Sequence, residues 1–293
     1  MLNEPMSRHT SWRVGGLADR LYLPAGIADL SAFLKSLPHG EAIHFVGLGS
    51  NLLVRDGGVR GTVILLHGGG QNSAKGSALD TLTINGNTVY AEAGVTCAKL
   101  AKFSAREHLH GAEFFAGIPG TVGGALAMNA GCHGGETWDV VRHALTIDRA
   151  GVLHERSQVD IEIGYRHVSL PTEEWFVAGW FELQAGEASI AEQKIKSLLT
   201  KRMESQPLNM PNAGSTFRNP EGDFAARLIQ GCGLKGYAIG GAQVSEKHAN
   251  FVVNTGTATA LEIEQLIAHM HATVLRETGV DLQREVRMIG EKQ

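Results

Sequence analysis

The uneven distribution of glycine constrains this chain more than any other sequence feature. Glycine accounts for 37 of the 293 residues, about 13 %, against a usual share of roughly 7 %. Fourteen of them lie in residues 67–135, and seven of these lie in residues 117–135, the segment GIPGTVGGALAMNAGCHGG. The glycines follow no three-residue period, which excludes a collagen-like chain. The clustering therefore predicts a globular protein with one region of flat, closely approached backbone.

Composition and charge exclude several classes of protein. The chain has 26 Lys and Arg against 30 Asp and Glu, a net charge of −4 without long runs of either sign, so a broad nucleic-acid surface is not expected. Residues 1–12 lack the apolar core of a signal peptide, and no stretch reaches the roughly 18 apolar residues of a membrane span, which predicts a cytoplasmic protein without membrane insertion. The three cysteines, Cys97, Cys132 and Cys232, form no CxxC pair, which argues against disulfides and a structural zinc site.

Local patterns predict a mixture of helices and short strands. Thr259 and Glu262 form a capping-box pattern at the start of a long helix that Gly279 ends, and Asn85-Gly86 is a hairpin turn. An amphipathic helix is predicted around Ile195, Leu198, Leu199 and Met203. The remaining predicted elements are strands over 20–23, 43–46, 62–66, 140–147, 175–183 and 282–289, and helices over 27–36 and 96–108. Because no steady βαβα rhythm is present, the predicted class is α+β.

This order of elements and the positions of the loops suggest three domains. We expect two successive α+β subdomains over residues 1–66 and 67–200, followed by a third unit over 201–283. Residues 209–215, with Pro207 and Pro211 nearby, are predicted to link into the third unit, and the final strand in 284–293 is a candidate to return to the first.

Two glycine-rich loops in the first half favour an anionic ligand. Residues 47–51, GLGSN, follow a predicted strand and offer successive backbone N–H groups. In the second loop, Thr121 can start a short helix, and Gly123 and Gly124 let a flat or anionic group approach it. Two such loops suit a dinucleotide, whereas the formal GxGxxG at 231–236 follows a predicted helix and does not favour a Rossmann fold. Histidine spacing does not favour a metal, and no GxSxG or P-loop motif is present.

Seven ordered motifs carry a resemblance to a known family. They are SWRVGG, GLGSNLLVRDGGVRG, GIPGTVGGALAMNAG, GYRHVSLP, NAGSTFRNPEGDFAARLIQ, YAIGGAQVSEKHANFVVN and LQREVRMIG. Together they resemble the UDP-N-acetylenolpyruvoylglucosamine reductase family from about Ser11 to the C-terminus, in its shorter form. Without this resemblance, the residues support only an α+β protein that binds an anionic ligand on glycine-rich loops.

The resemblance implies an FAD-binding fold of the vanillyl-alcohol oxidase and p-cresol methylhydroxylase type in the first two domains, with a third domain for the substrate. It implies that FAD is bound by two groups of residues. The first comprises Gly47, Gly49, Ser50, Asn51 and Leu52. The second comprises Gly117, Ile118, Pro119, Gly120, Thr121, Gly123, Gly124, Asn129 and Gly131.

The resemblance also implies a reaction and its residues. NADPH reduces FAD, and the reduced flavin gives hydride to the methylene carbon of UDP-N-acetylglucosamine enolpyruvate, yielding UDP-N-acetylmuramate for peptidoglycan. Ser215 matches the donor of the proton to the adjacent carbon, and Arg166 and Glu285 match groups at the enolpyruvyl carboxylate. The candidates for binding the rest of the substrate are Tyr165, Arg202, Arg218, Asn219 and Arg287.

Three positions depart from the expected family pattern. Cys132-His133 stand where Ala-Tyr is frequent, Val168 where a serine is expected, and Arg218 where lysine is frequent. His133 argues against any role that needs an aromatic hydroxyl beside the flavin. Two alternatives remain open: another flavin oxidoreductase on the same scaffold, and a flavin-free protein that binds nucleotide sugars. A monomer or weak homo-oligomer is expected.

Overall fold

A computed structural model describes residues 1–67 and 79–293, which form two compact units. The first unit comprises Met1–Leu21, Gly49–Thr62 and Met203–Gln293, and the second comprises Tyr22–Leu48 and Val63–Arg202. Residues 68–78, which hold four of the fourteen glycines counted in 67–135, lie outside the described residues. The division into three domains remains a prediction.

The described residues contain α-helices, strands and four short 3-10 turns. The helices are α1 Ile27–Ser36, α2 Cys97–Arg106, α3 Val122–Met128, α4 Ala188–Ser205, α5 Ala225–Gly231 and α6 Ala260–Thr278. The strands up to the middle of the chain are β1 Leu2–Pro5, β2 Leu17–Tyr22, β3 Ile43–Val46, β4 Leu52–Val54, β5 Val59–Leu65, β6 Leu82–Asn85, β7 Thr88–Glu92, β8 Leu109–His110, β9 Gly131–Cys132 and β10 Gly135–Glu136. The others are β11 Val141–Asp148, β12 Leu153–Ser157, β13 Glu162–Gly164, β14 His167–Ser169, β15 Glu174–Glu182, β16 Gln184–Ala185, β17 Ala238–Ile239, β18 Ala242–Val244, β19 Val252–Asn254 and β20 Arg287–Ile289.

The first unit is built around α6 and a small antiparallel sheet in the order β17-β18-β19. Thr259 Oγ1 accepts the N–H of Glu262 at 3.2 Å, and Glu262 Oε2 accepts the N–H of Thr259 at 3.0 Å, so the predicted capping box forms. Gly279 ends the helix with a φ of 74°, which favours glycine. The apolar face of α6 is buried with α5 and the sheet in one core, whose α6 members are Ala260, Ile263, Leu266, Ile267, Met270 and Val274. In the same unit, β20 pairs parallel with β4.

The second unit is built on a five-stranded antiparallel sheet in the order β12-β11-β15-β7-β6. The helices α2 and α3 pack with this sheet in a core that includes Leu100, Phe115, Leu126 and Phe181. Leu30 and Leu34 of α1 belong to a separate cluster of the same unit, with Ile147 of β11. The glycine-rich segment runs through α3, β9 and β10, and α3 anchors it in the core that contains Leu100.

Most of the predicted elements agree with the structure. Helix α1 and strand β3 have the predicted bounds, and the Asn85-Gly86 hairpin joins β6 to β7. The α+β class is confirmed, and α5 does end at Gly231, so the GxGxxG follows a helix.

Two local predictions are wrong. The strand predicted over 282–289 is limited to Arg287–Ile289, because residues 283–285 make irregular backbone hydrogen bonds with residues 216–218 instead. Met203 does not lie on the buried face of α4, since its side chain is 58 % exposed, whereas Ile195 and Leu198 are buried.

Glu174 of β15 is a buried carboxylate held by a network inside the second unit. Arg156 donates to it from Nη2 at 2.5 Å and from Nε at 3.0 Å, and Thr146 Oγ1 donates at 2.6 Å. Burial raises the pKa of this carboxyl, but the hydrogen bonds from Arg156, Thr146 and Thr172 outweigh burial and lower the pKa to about 2. The ionised form of Glu174 therefore stabilises the folded unit.

We expect Glu174→Gln to lower the free energy of unfolding at pH 7 by about 3 kcal/mol, because the Arg156 charge loses its partner. The folded pKa of Glu174 lies below its ordinary value of 4.5, so this stabilisation is present above about pH 4.5 and is lost as the pH falls towards 2. Urea unfolding of both proteins between pH 7 and pH 3 measures the difference, which should shrink below pH 4.5. Equal stabilities at pH 7 would contradict the assigned role of Glu174.

Candidate active site

Ser215 lies on a segment of the first unit whose backbone is fixed on both sides. Asn212 Oδ1 accepts the N–H of Gly214 at 3.0 Å, and Gly214 has a φ of 74°, which turns the chain just before Ser215. After it, the carbonyl of Thr216 accepts the N–H of Glu285 at 2.9 Å. The segment carrying Ser215 therefore runs beside the segment carrying Glu285, and the structure brings these two predicted catalytic residues together.

The loop that contains Asn51 joins this pair within the first unit. Asn51 Nδ2 donates to the backbone carbonyl of Glu285 at 3.2 Å, and the N–H of Arg287 donates to the carbonyl of Asn51 at 3.0 Å. Leu52 pairs with Arg287 at the start of the parallel β4 and β20. The first unit thus gathers predicted cofactor, catalytic and substrate residues from three distant parts of the sequence.

Arg218 and Asn219 follow Ser215 on the same segment but differ in their partners. The N–H of Arg218 donates to the carbonyl of Gln283 at 2.8 Å, while its side-chain Nε is buried and has no hydrogen-bond partner among the described residues. A buried guanidinium N–H that lacks a protein acceptor is suited to an anionic ligand. Asn219 Oδ1 instead accepts the N–H of Ala225 at 3.1 Å, so it caps the first turn of α5.

Arg166 lies in the second unit, in the turn between β13 and β14. Its Nη2 donates to the carbonyl of Gly131 at 2.8 Å, its Nη1 donates to the carbonyl of Asn129 at 3.2 Å, and its guanidinium lies 5.0 Å from the centre of the Tyr165 ring. A Cβ at Gly131 would lie 2.7 Å from the Gly135 carbonyl oxygen, which requires glycine there, and 3.1 Å from Arg166 Nη1. The glycine-rich segment therefore orients the predicted catalytic arginine.

Asn129 holds the same segment from the inside. It is buried, with a φ of 43°, and its Nδ2 donates to Glu136 at 2.8 Å and to the carbonyl of Gly164 at 3.2 Å. Its Oδ1 accepts the N–H of Trp138 at 3.1 Å. The side chain of Asn129 is thus committed to the protein, and it links the glycine segment to the hairpin that carries Arg166.

Arg202 and Cys132 are electrostatic neighbours in the second unit. Burial lowers the pKa of Arg202, and the nearby Cys132 opposes that shift. Burial raises the pKa of the Cys132 thiol, against the effects of Arg202 and Arg166. The segment beside Gly131 therefore lies near two arginines, which suits an anionic ligand.

The glycines of the two loops divide into those needed for packing and those left open. A Cβ at Gly47 would lie 2.4 Å from Thr121 Oγ1, and one at Gly117 would lie 2.5 Å from Cys132 Sγ. At Gly49, with a φ of 61°, it would lie 2.0 Å from the His9 carbonyl oxygen. At Gly123 it would lie 2.8 Å from Ala93 Cβ. These four glycines permit close contacts inside the protein.

Gly124 is different, and it supports a bound planar group. It is exposed on α3, and an added Cβ would meet only Thr121 Oγ1, at 3.9 Å. The N–H of Gly123 is already donated to the carbonyl of Ala93 at 2.9 Å, so this amide is not available to an anion, contrary to the expectation for the start of this helix. Thr121 Oγ1 is buried and has no partner within residues 1–67 and 79–293. An open glycine face and an unpartnered hydroxyl fit a bound FAD.

We expect the two neighbouring glycines to respond differently to alanine. Gly123→Ala should destabilise the protein by about 1–3 kcal/mol through overpacking against Ala93. Gly124→Ala should leave the stability of the FAD-free protein unchanged or raise it by up to about 1 kcal/mol, but weaken FAD binding by about tenfold. Thermal unfolding and FAD titration measure both. Unchanged FAD affinity in Gly124→Ala would exclude Gly124 from the cofactor surface.

The sequence interpretation missed one buried residue, Asn250, between β18 and β19. Its Oδ1 accepts the N–H of Phe217 at 3.0 Å, and its Nδ2 donates to the carbonyl of Phe217 at 2.8 Å. Asn250 lies in the recognised motif YAIGGAQVSEKHANFVVN, but no local pattern indicates a bond across 33 residues.

A cavity of about 640 Å³ lies elsewhere in the first unit, between α5 and the end of α6. Gly231 and Cys232 of the GxGxxG line it together with Thr273, but none of the predicted site residues does. The described part of the chain contains no cluster of three or more His, Cys, Asp or Glu side chains suited to a metal ion. In the same residues, no helix combines the length and the apolar character required for a membrane span.

Comparisons with known proteins identify two protein families that match the chain. A family model described as an FAD binding domain matches residues 18–157. With the fold and the open glycine surface, it defines the chain as an FAD-binding protein of the α+β class. A second model, described as the C-terminal domain of UDP-N-acetylenolpyruvoylglucosamine reductase, matches residues 206–289.

Similarity to whole proteins extends over the full length. The chain is 58 % identical to UDP-N-acetylenolpyruvoylglucosamine reductase of Thiobacillus denitrificans, covering 100 % of this chain and 93 % of the relative. It is 56 % identical to the protein of that name from Alkalilimnicola ehrlichii, covering 99 % and 94 %. A crystal structure of UDP-N-acetylenolpyruvylglucosamine reductase from Thermus caldophilus matches with a TM-score of 0.82 and 30 % identity, covering 97 % of each chain. The chain belongs to the UDP-N-acetylenolpyruvoylglucosamine reductase family, the FAD-containing oxidoreductases of peptidoglycan synthesis.

Proposed function

We propose that the chain uses NADPH to reduce the enolpyruvyl ether of UDP-N-acetylglucosamine enolpyruvate, giving UDP-N-acetylmuramate. The observation that carries this proposal is the pairing of the Ser215 segment with the Glu285 segment in the first unit. This reduction requires two polar functions. One is an acid that protonates a carbon atom, and the other is a group that stabilises charge on the adjoining carboxylate.

Bound FAD supplies the hydride chemistry. Ser215 Oγ–H gives its proton to the carbon next to the hydride acceptor, so that the O–H bond breaks as the new C–H bond forms, and water later restores the proton. A serine hydroxyl is a weak acid, but an enolate carbon is a strong base, which makes the transfer feasible. Arg218, three residues further on, supplies a cation for the alkoxide, in accord with its buried and unpartnered Nε.

Charge develops on the enolpyruvyl carboxylate during the reaction and must be stabilised. Arg166 provides a fixed positive charge and a forked donor, which its bonds to Gly131 and Asn129 hold in one orientation. Glu285 assists either in its protonated form or by orienting another donor. Tyr165, Arg202, Asn219 and Arg287 are the groups that we assign to the diphosphate, the carboxylate and the rest of the substrate.

A visible spectrum of the purified protein, recorded before and after additions, tests this function in one sample. We expect a flavin spectrum that NADPH bleaches and that returns when UDP-N-acetylglucosamine enolpyruvate is added without oxygen. A colourless protein that does not take up FAD would overturn the proposal in favour of nucleotide-sugar binding. Rapid recovery with oxygen and none with the sugar substrate would indicate a different flavin oxidoreductase.

A further inference from the structure

Asn250 is tied to the two residues that follow Ser215 by three hydrogen bonds. Its side chain accepts from the N–H of Phe217 at 3.0 Å and donates to the carbonyl of Phe217 at 2.8 Å. Its backbone carbonyl accepts the N–H of Thr216 at 2.8 Å. Because Asn250 is only 3 % exposed, water cannot replace these bonds.

The opposite edge of the same segment is held by the chain near Glu285. The carbonyl of Thr216 accepts the N–H of Glu285 at 2.9 Å, and the N–H of Arg218 donates to the carbonyl of Gln283 at 2.8 Å. The backbone that follows Ser215 therefore lies between Asn250 on one side and residues 283–285 on the other. Both sides therefore restrain the backbone next to Ser215.

The loop that presents Asn250 is itself rigid. Ser245 Oγ accepts the N–H groups of Lys247 at 3.1 Å and His248 at 3.3 Å, and the N–H of Ser245 donates to the carbonyl of Phe251 at 2.8 Å. The N–H of Asn250 donates to His248 Nδ1 at 3.3 Å. The backbone of Asn250 is thus held by its own loop, and its side chain reaches from there to Phe217.

We infer that Asn250 is a positioning residue for proton delivery by Ser215. The inference rests on the proposed function, since it concerns the same donor. A serine has a single side-chain torsion before its hydroxyl, so the place of Oγ is set mainly by the backbone. Displacement of a reacting group by about 1 Å can cost about 100-fold in rate. The hydrogen bonds that fix the peptide groups next to Ser215 therefore affect the rate of protonation.

The test compares two asparagine-to-aspartate variants of the FAD-bound protein. In Asn250→Asp, the group facing the Phe217 carbonyl changes from a donor to an acceptor, whereas the bond to the Phe217 N–H is kept. Asn254→Asp is the matched control: Asn254 is also buried and in the first unit, but its Nδ2 donates to the carbonyl of Trp12 at 2.9 Å.

We expect Asn250→Asp to slow flavin reoxidation by UDP-N-acetylglucosamine enolpyruvate by about 10- to 100-fold. Flavin bleaching by NADPH and the KM for the sugar substrate should stay near the parent values, because Ser215 is not a binding group. Asn254→Asp should leave reoxidation unchanged. In a Ser215→Ala background, Asn250→Asp should cause no further loss, because both changes then act on the same step.

Three results would overturn the inference. They are parent-like reoxidation in folded Asn250→Asp, equal losses in bleaching and reoxidation, and an undiminished effect in the Ser215→Ala background. If Asn250→Asp does not fold, Asn250→Ser replaces it, since its shorter side chain removes both bonds to Phe217 without placing an acceptor against the Phe217 carbonyl. If neither Asn250 variant folds while Asn254→Asp does, Asn250 contributes to stability alone, and the inference fails. If Ser215→Ala itself leaves reoxidation unchanged, the proposed function fails and not only the role of Asn250.

Discussion

Replacement of Ser215 by alanine is expected to slow reoxidation of the reduced flavin by the enolpyruvyl substrate by about 10²- to 10⁴-fold, the usual cost of a lost general acid. Bleaching by NADPH should be unaffected, because that half of the reaction requires no proton at the substrate carbon. Stopped-flow absorbance at the flavin band, without oxygen, separates the two half-reactions. The side chain removed is small and half-buried, so the fold should remain intact.

Two further variants make this result specific. Ser215→Cys keeps a proton donor at the same position, so its rate should lie between those of the parent and Ser215→Ala. Ser31→Ala is the control: Ser31 is also half-buried and loses one hydrogen bond, from its Oγ to the carbonyl of Gly151 at 2.6 Å, in the other unit. If Ser215→Ala reoxidised as fast as Ser31→Ala, Ser215 would not be the donor.

Local signals in the sequence predicted the elements that local bonds form. The capping box of α6 lies within four residues, and the Asn-Gly turn joins two adjacent strands, so both could be inferred from neighbouring side chains. The hairpin of β13 and β14 was missed, because its turn consists of Tyr165 and Arg166 and lacks glycine and asparagine. Arg166 nevertheless has a φ of 54°.

Contacts across long stretches of sequence were beyond any local pattern. Asn51 and Glu285 are 234 residues apart and share a hydrogen bond, and the predicted final strand was shortened because residues 283–285 pair with the Ser215 segment. The family resemblance identified the residues of the site without indicating what holds them. The roles of Asn250 and Asn129 follow only from the three-dimensional structure.

The glycine-rich segment serves more than one purpose. Gly117 and Gly123 permit tight packing within the second unit, Gly131 permits the close approach of the Gly135 carbonyl, and only Gly124 of these four is open enough to lie against a ligand. A high local glycine content therefore indicated the correct region, but a ligand explains only part of it. Most of these glycines bring protein segments together around the residues that act.

Arg166→Lys is expected to reduce substrate-dependent reoxidation by about 10²- to 10³-fold, the range found when one donor to a developing anion is lost. A lysine keeps the charge but has no planar fork, so it cannot hold both the Gly131 and Asn129 carbonyls and still present a directed donor. The same stopped-flow measurement applies, and NADPH bleaching should change little.

Arg149→Lys is the matched control for Arg166→Lys, because Arg149 also lies in the second unit and donates from Nη1 to a backbone carbonyl, that of Glu41, at 2.7 Å. Loss of structure alone would affect both variants in thermal unfolding and would lower both half-reactions together. A selective loss in Arg166→Lys therefore assigns the effect to the substrate carboxylate. Equal reoxidation rates in the two variants would contradict that role, even if both variants were less stable than the parent.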